Sequence, residues 1–215
     1  MSPLIIFDCD GVLVDTESLA NQRMAEIFTE FGYPLTGPEC RQKYQGQSMT
    51  TVCADVSSHI GHTLQPQSIQ LEINHALQSG VKAIQGVENL ISTLIDTGID
   101  VCVASSGTIE KMHITLGQTS LLTQLDKVLF SSSQVSRGKP HPDVFLFAAE
   151  KMGYAPDQCI VIEDSLSGVQ AGISAGMQVL GYCGDTFTPK ETLSAAGAQI
   201  ITSMEEVLPF VEKFK

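Results

Sequence analysis

The stretch Leu4-Ile5-Ile6-Phe7-Asp8-Cys9-Asp10-Gly11-Val12-Leu13-Val14-Asp15-Thr16-Glu17 decides the fold. Its first four residues form an apolar run too short for a helix. Two carboxylates one residue apart follow, and then a glycine at which the backbone can turn sharply. This reads as a buried strand that ends in charge. Alternate side chains of a strand share a face, and a turn at the strand end can bring Asp8 and Asp10 into one pocket. Carboxylates that close repel each other, so a divalent cation or a shared proton would explain the pair. A capped strand end with solvated carboxylates is the competing reading, and these two residues alone do not choose between them.

Immediately downstream, Leu19, Met24, Ile27, Phe28 and Phe31 recur at helical spacing across Ser18 to Phe31, and Gly32 supplies a stop. From 33 to about 85, Pro34, Pro38, Gly46, Gly61, Pro66 and Gly80 separate short helix-like stretches without a convincing strand. The texture then changes. Helical patterns at Val87–Thr97, Ile109–Gly117, Pro142–Gly153 and Val169–Ala175 alternate with apolar runs at Ile99–Ala104, Lys127–Phe130, Cys159–Ile162, Gln178–Gly181 and Gln199–Ile201. A helix over Met204–Lys213 closes the chain. Continuously apolar strands alternating with helices predict an α/β fold, a doubly wound, Rossmann-like parallel sheet covered on both faces. The expected organisation is an α/β core from 1–15 and 83–215, with a helical domain inserted at 16–82.

The 215 residues can bury a sizeable core, and 43% hydrophobic with 17% charged residues describe an ordinary globular chain. Twelve Lys and Arg against 24 Asp and Glu give a net charge of −12, which opposes nucleic acid and anionic membrane surfaces as partners. The same field opposes a phosphate ligand, so an anion site must carry its own positive charge. No run approaches the roughly 18 apolar residues of a membrane span, and no basic flank precedes the first apolar stretch. The expectation is a cytoplasmic protein, monomeric or weakly dimeric. Cys9, Cys40, Cys53, Cys102, Cys159 and Cys183 have no paired zinc-type spacing and read as small buried hydrophobes. His59 and His62 have metal-like spacing without supporting partners and read as a surface coincidence. Gly168, Gly172 and Gly176 recur every fourth residue, which suits close packing of a helix on the sheet.

Ligands of doubly wound sheets bind beyond the carboxyl ends of the strands. Those ends offer Asp8 and Asp10, then Ser105 and Ser106, then Lys139, then Glu163 and Asp164. Asp8, Asp10 and Asp164 supply hard oxygen ligands of the kind Mg²⁺ takes. Ser105 offers a hydroxyl, and the Ser106-Gly107-Thr108 turn offers backbone N–H groups at a helix start, where the dipole favours an anion. Lys139 contributes a cation. Each feature has a plainer reading as a helix cap, a solvated lysine or a dipole-matched acidic pair. Their coincidence at four successive strand ends favours phosphoryl transfer, which relies on positioning and charge stabilisation.

Asp8-Cys9-Asp10-Gly11-Val12, the Ser105 turn, Gly138-Lys139-Pro140-His141-Pro142-Asp143, and Glu163-Asp164-Ser165 with Gly168 and Ala171-Gly172 resemble the four motifs of the haloacid dehalogenase-like superfamily. The resemblance covers nearly the whole chain. It is strongest to the β-phosphoglucomutase-like phosphatase branch, which includes 6-phosphogluconate phosphatase-like members. It implies Asp8 as a nucleophile forming an aspartyl-phosphate and Asp10 as general acid and then base, with Ser105 and Lys139 holding phosphoryl oxygens. It implies Mg²⁺ on Asp8, the Asp10 backbone carbonyl and Asp164, with Glu163 as an additional or outer ligand. The inserted helical domain corresponds to the family's cap, which closes over the site, with Asp15 and Thr16 at its hinge. Gly46 and Gln47 are candidate substrate contacts from it, as is Lys43; the plainer readings are a loop glutamine and a solvated lysine. The mutase members carry a histidine and an arginine where this chain has Ala20 and Met49, a departure that favours hydrolysis over phosphate migration. The expected function is a Mg²⁺-dependent phosphatase for a small phosphorylated metabolite, a sugar or sugar-acid phosphate resembling 6-phosphogluconate. The alternatives are a sugar-phosphate mutase, a phosphoglycolate phosphatase and a non-catalytic binding domain.

Overall fold

The computed structural model describes residues 2–45 and 47–214. The first apolar run forms strand β1 (Leu4–Phe7), every residue of it buried. Five further strands, β2 (Asp100–Ser105), β3 (Leu129–Ser131), β4 (Cys159–Glu163), β5 (Gln178–Tyr182) and β6 (Gln199–Ile201), join it in one parallel sheet of order β3-β2-β1-β4-β5-β6. The order runs outward in both directions from β1, which pairs with β2 and β4 in register Ile6↔Cys102 and Ile6↔Val161. The topological switch point therefore lies between β1 and β4, where a doubly wound sheet opens its ligand crevice.

Burial follows the strand period. Leu4 and Ile6 pack with Cys102, Ala104, Cys159 and Val161 against helix α8 (Asp143–Met152) and helix α9 (Leu166–Ser174). Ile5 and Phe7 point to the opposite face and are equally inaccessible. A sheet buried on both faces is why its strands read as unbroken apolar runs. On α9 a Cβ at Gly172 would stand 2.6 Å from Val179 Cγ2, so the glycine lets the helix lie close on β5. All six cysteines are buried and unpaired, and burial pushes each thiol above its ordinary pKa, which suits packing and not reactivity.

The chain divides into two compact units, 1–14 with 83–215, and 15–82. The second is built from α1 (Thr16–Glu30), α2 (Gly37–Tyr44), α3 (Met49–Ile60) and α4 (Pro66–Ala76). Each of the first three is capped by a side chain that the sequence supplies at its start: Asp15 accepts from Ser18 N, Thr36 forms a reciprocal box with Glu39, and Ser48 accepts from Thr51 N. Met24, Phe28, Tyr44, Val56 and Ile73 belong to a core of this unit's own, against which Ala20 and Met49 also pack.

Several element boundaries differ from the sequence reading, among them that of helix α9, which begins at Leu166 and not at Val169. The strand expected at Lys127–Phe130 is Leu129–Ser131, because Asp126–Val128 wind into a 3₁₀ turn. The closing helix starts as a 3₁₀ turn at Met204–Val207, and only Leu208–Lys213 is α-helical; Pro209, without an N–H, fits the first turn of a new helix and not the interior of a longer one. Short helices α7 (Leu121–Leu125) and α10 (Lys190–Ala195) have no counterpart in the sequence pattern, since five or six residues carry too little periodicity. Helices α5 (Val87–Asp96) and α6 (Ile109–Leu116) lie where the pattern puts them, and α11 is the closing Leu208–Lys213. Among the described residues no helix is long and apolar enough to cross a membrane.

Candidate active site

The carboxyl end of β1 is held to β4 by the Asp8 N–H, which donates to the Ile162 carbonyl at 2.9 Å. The chain then folds tightly on itself, with Leu13 N donating to Cys9 O and Gly11 N to Val14 O. Gly11 takes φ +84°, and a Cβ there would fall 2.0 Å from Asp164 Oδ2. Glycine is thus needed twice: for the left-handed backbone, and to let the Asp164 carboxylate lie against the turn.

Lys139 arrives from the loop before α8 with only 2% of its side chain accessible. Its three N–H bonds are matched by three acceptors: Asp8 Oδ1 at 2.5 Å, Glu163 Oε1 at 2.7 Å and the Ala104 carbonyl at 3.0 Å. The other Glu163 oxygen, Oε2, accepts from both Ser165 N and Ser165 Oγ at 2.9 Å. A Cβ at Gly168 would stand 1.7 Å from Glu163 Oε1, so α9 makes room for this buried carboxylate with a glycine. One ammonium therefore faces two buried carboxylates. Burial alone would lower the Lys139 pKa, but Asp8 and Glu163 outweigh it and hold the ammonium above its ordinary value. Burial pushes Asp8 up to about 7; Lys139 opposes this, while Glu163 and Asp10 add to it.

At the end of β2, buried Ser105 accepts from Gly107 N at 3.0 Å, and Ser131 Oγ on β3 donates to the Gly107 carbonyl at 2.7 Å. These bonds fix the turn that leads into α6. Ser106 is exposed in that turn. Lys111, which the sequence reading passed over, reaches back from α6 to place Nζ 2.7 Å from Asp10 Oδ2. The available signal was its place in the first helical turn six residues after Ser105, since helical side chains lean towards the N-terminus and so towards the strand end.

The structure brings Asp8, Asp10, Ser105, Gly107, Lys139, Glu163 and Asp164 to adjoining strand ends of one unit. Carboxylate oxygens of Asp8, Glu163 and Asp164 lie within 4.8 Å of one another, a group of hard donors that could hold a metal ion. The Asp10 carboxylate is not part of that group and pairs with Lys111 instead. Gln47 belongs to the helical unit, where its amide donates to the Lys43 carbonyl at 3.0 Å. Gly46 lies outside the described residues. His59 and His62 make ring contacts with Tyr33 and Phe31, at centroid distances of 5.1 and 5.6 Å.

Comparison with known proteins places this geometry. Residues 5–182 match the family model for haloacid dehalogenase-like hydrolases. The chain is 32% identical over 185 residues to 6-phosphogluconate phosphatase of Escherichia coli (strain K12), covering 84% of this chain and 82% of that protein. It is 28% identical over 190 residues to hexitol phosphatase A of the same organism, covering 86% and 85%. Among solved structures, a HAD family hydrolase from Deinococcus radiodurans R1 with bound phosphate and sodium matches with a TM-score of 0.87 at 29% identity, over 99% of this chain and 96% of that one. The chain belongs to the haloacid dehalogenase-like hydrolases.

Proposed function

We propose that this phosphoric monoester hydrolase cleaves a small sugar or sugar-acid phosphate in a Mg²⁺-dependent reaction through a phosphorylated Asp8. The observation that carries the reading is the buried Asp8 carboxylate fixed at one oxygen by Lys139 and flanked by Asp164. A carboxylate whose rotation is locked by a charge-assisted hydrogen bond is aimed before substrate arrives, which lowers the cost of reaching the reacting geometry. Names of relatives support the substrate class: 6-phosphogluconate and hexitol phosphatases both act on phosphorylated polyols or sugar acids.

In this reading Asp8 attacks phosphorus and becomes an acyl phosphate, Asp10 gives a proton to the departing oxygen, and Asp10 then takes a proton from the water that releases phosphate. The Ser105 oxygen accepts from Gly107 N, which leaves its hydroxyl hydrogen for a phosphoryl oxygen. The Ser106-Gly107 turn at the start of α6 adds dipole support for the anion. Lys139 offsets the charge of Asp8 and of the incoming phosphate. Asp8, the Asp10 backbone carbonyl and Asp164 would hold Mg²⁺, which when bound supplies positive charge to the phosphoryl oxygens. Glu163, with both oxygens engaged, favours the role of orienting Lys139 over direct ligation. The helical unit would act as the cap that selects the leaving group. Ala20 and Met49 pack in its own core and offer no cation for the second phosphate of a mutase intermediate.

The test is phosphate release from a panel of sugar, sugar-acid and polyol phosphates in Mg²⁺, with Asp8→Asn and a chelator as controls. Release that depends on both Asp8 and metal is expected. Full activity of Asp8→Asn would overturn the nucleophile assignment. Conversion of β-glucose 1-phosphate with a bisphosphate primer into its 6-phosphate, without net release, would replace hydrolysis by mutase activity.

A further inference from the structure

The Lys111–Asp10 pair has no counterpart in the motifs by which the sequence was read. Its geometry is specific: Lys111 Nζ lies 2.7 Å from Asp10 Oδ2. The Lys111 stem also runs beside Gly107, where a Cβ would stand 3.4 Å from Lys111 Cδ, 3.3 Å from Ser105 Oγ and 3.8 Å from Asp10 Oδ2. One side chain thus ties the turn after β1 to the turn after β2. The Thr108 cap sets its backbone, accepting from Lys111 N at 3.2 Å. A cation in the first turn of α6 works against the helix dipole, so local helix preference does not explain a lysine there. Surface stability does not explain it either: both side chains are partly exposed, 42% for Lys111 and 29% for Asp10, and solvated ion pairs add little to stability.

We propose that Lys111 is a positioning residue for Asp10: by holding Oδ2 it turns the carboxylate so that Oδ1 exchanges the proton with the leaving group and then with water. The inference rests on the reaction proposed above. In the first half-reaction an Asp8 oxygen bonds to phosphorus as the bond from phosphorus to the ester oxygen breaks. The electron pair goes to that oxygen, which takes the proton from Asp10. In the second, a water oxygen bonds to phosphorus, its proton returns to Asp10, and the bond to Asp8 breaks. Lys111 touches neither bond; it fixes the angle from which the proton moves.

Leaving groups separate this role from general structural support. An alkyl oxygen needs a proton to depart and a p-nitrophenolate does not, while kcat/KM reports only the steps up to the first cleavage. The experiment compares Lys111→Met and Lys111→Arg on p-nitrophenyl phosphate and on the alkyl monoester turned over fastest in the metabolite panel. Lys111→Met is expected to lower kcat/KM for the alkyl ester by about 10–100-fold, a part of what general acid catalysis supplies, and for the aryl ester by at least fivefold less. Lys111→Arg should recover most of the alkyl loss. Lys111→Met placed in an Asp10→Asn background should cost little more than Asp10→Asn alone. Equal losses on both esters, no loss on either, or additive losses in the double variant would overturn the inference. None of these outcomes touches the underlying reaction, which fails instead if Asp8→Asn stays active. Unchanged circular dichroism of Lys111→Met is expected, and a collapsed spectrum would show a structural role and overturn the inference too.

Discussion

Lys43 grips Asp55 and Lys139 grips Asp8, and their surroundings give the two contacts opposite consequences. In the helical unit Lys43 binds Asp55 at 2.8 Å and the Tyr33 hydroxyl at 2.5 Å, with the Tyr44 hydroxyl donating to the same Asp55 oxygen at 2.7 Å. The pair is 40% and 36% exposed, and Lys43 together with Tyr44 holds the Asp55 carboxyl below its ordinary pKa. In the α/β unit Lys139 binds Asp8 more closely still, yet burial pushes Asp8 up to about 7 against the pull of its lysine. The partner is the same and the shift reverses. Where water remains, a lysine stabilises a carboxylate cheaply; where water is excluded, the same contact leaves a carboxylate poised and strained in charge, which a fold tolerates at a reactive centre.

The largest break in this comparison is expected from Asp8→Asn, which should lower phosphate release by about 10³-fold or more while leaving the helical unit unaltered. Lys139→Met should follow. It leaves Asp8 and Glu163 buried without their shared cation and should destabilise the protein by about 3–5 kcal/mol in denaturant titration, besides abolishing turnover.

The pH dependence sharpens the contrast. Raised from 3.8 to about 7, Asp8 binds its proton more tightly folded than unfolded, so its contribution to stability is present at low pH and is lost as pH rises from about 4 to about 7. Asp55, held low, contributes above the ordinary carboxylate range and loses that contribution as pH falls. Thermal melts of metal-free protein should therefore show a loss between pH 4 and 7 that Asp8→Asn removes. If Asp8 is a ligand as proposed, Mg²⁺ should bind more tightly as pH rises through 7, since a metal held there would need the carboxyl ionised.

Gly168→Ala should cost about 1–3 kcal/mol and reduce activity, because its methyl collides with Glu163 and so disturbs the group that seats Lys139. Lys43→Met closes the series with a change of about 0.2–1 kcal/mol, since the pair it breaks is solvated.

The strands were legible because parallel strands buried on both faces must be apolar throughout, so Leu4–Phe7 and Cys159–Ile162 announce themselves. The charged residues at their ends were legible for the same reason: Asp8 and Glu163 interrupt runs that have no other cause to stop. The site's inner logic was less so. Glu163 reads in sequence as an additional or outer metal ligand, and only the fold shows that its oxygens also accept from Lys139 and Ser165. Gly168 reads as helix packing on the sheet and turns out to clear space for that carboxylate. Lys111 sits at a position that any solvated helix lysine could occupy, and its partner lies 101 residues away in the chain. Contacts made across such separations leave no local pattern to read.

The central claim, that the carboxylate locked by Lys139 carries the phosphoryl group, is tested most directly by acid quench during turnover of an alkyl phosphate followed by mass spectrometry of the peptide containing Asp8. The account predicts a peptide heavier by one phosphoryl group, with the modification on Asp8. An unmodified Asp8 during active phosphate release, or the phosphoryl group on another side chain, would contradict it.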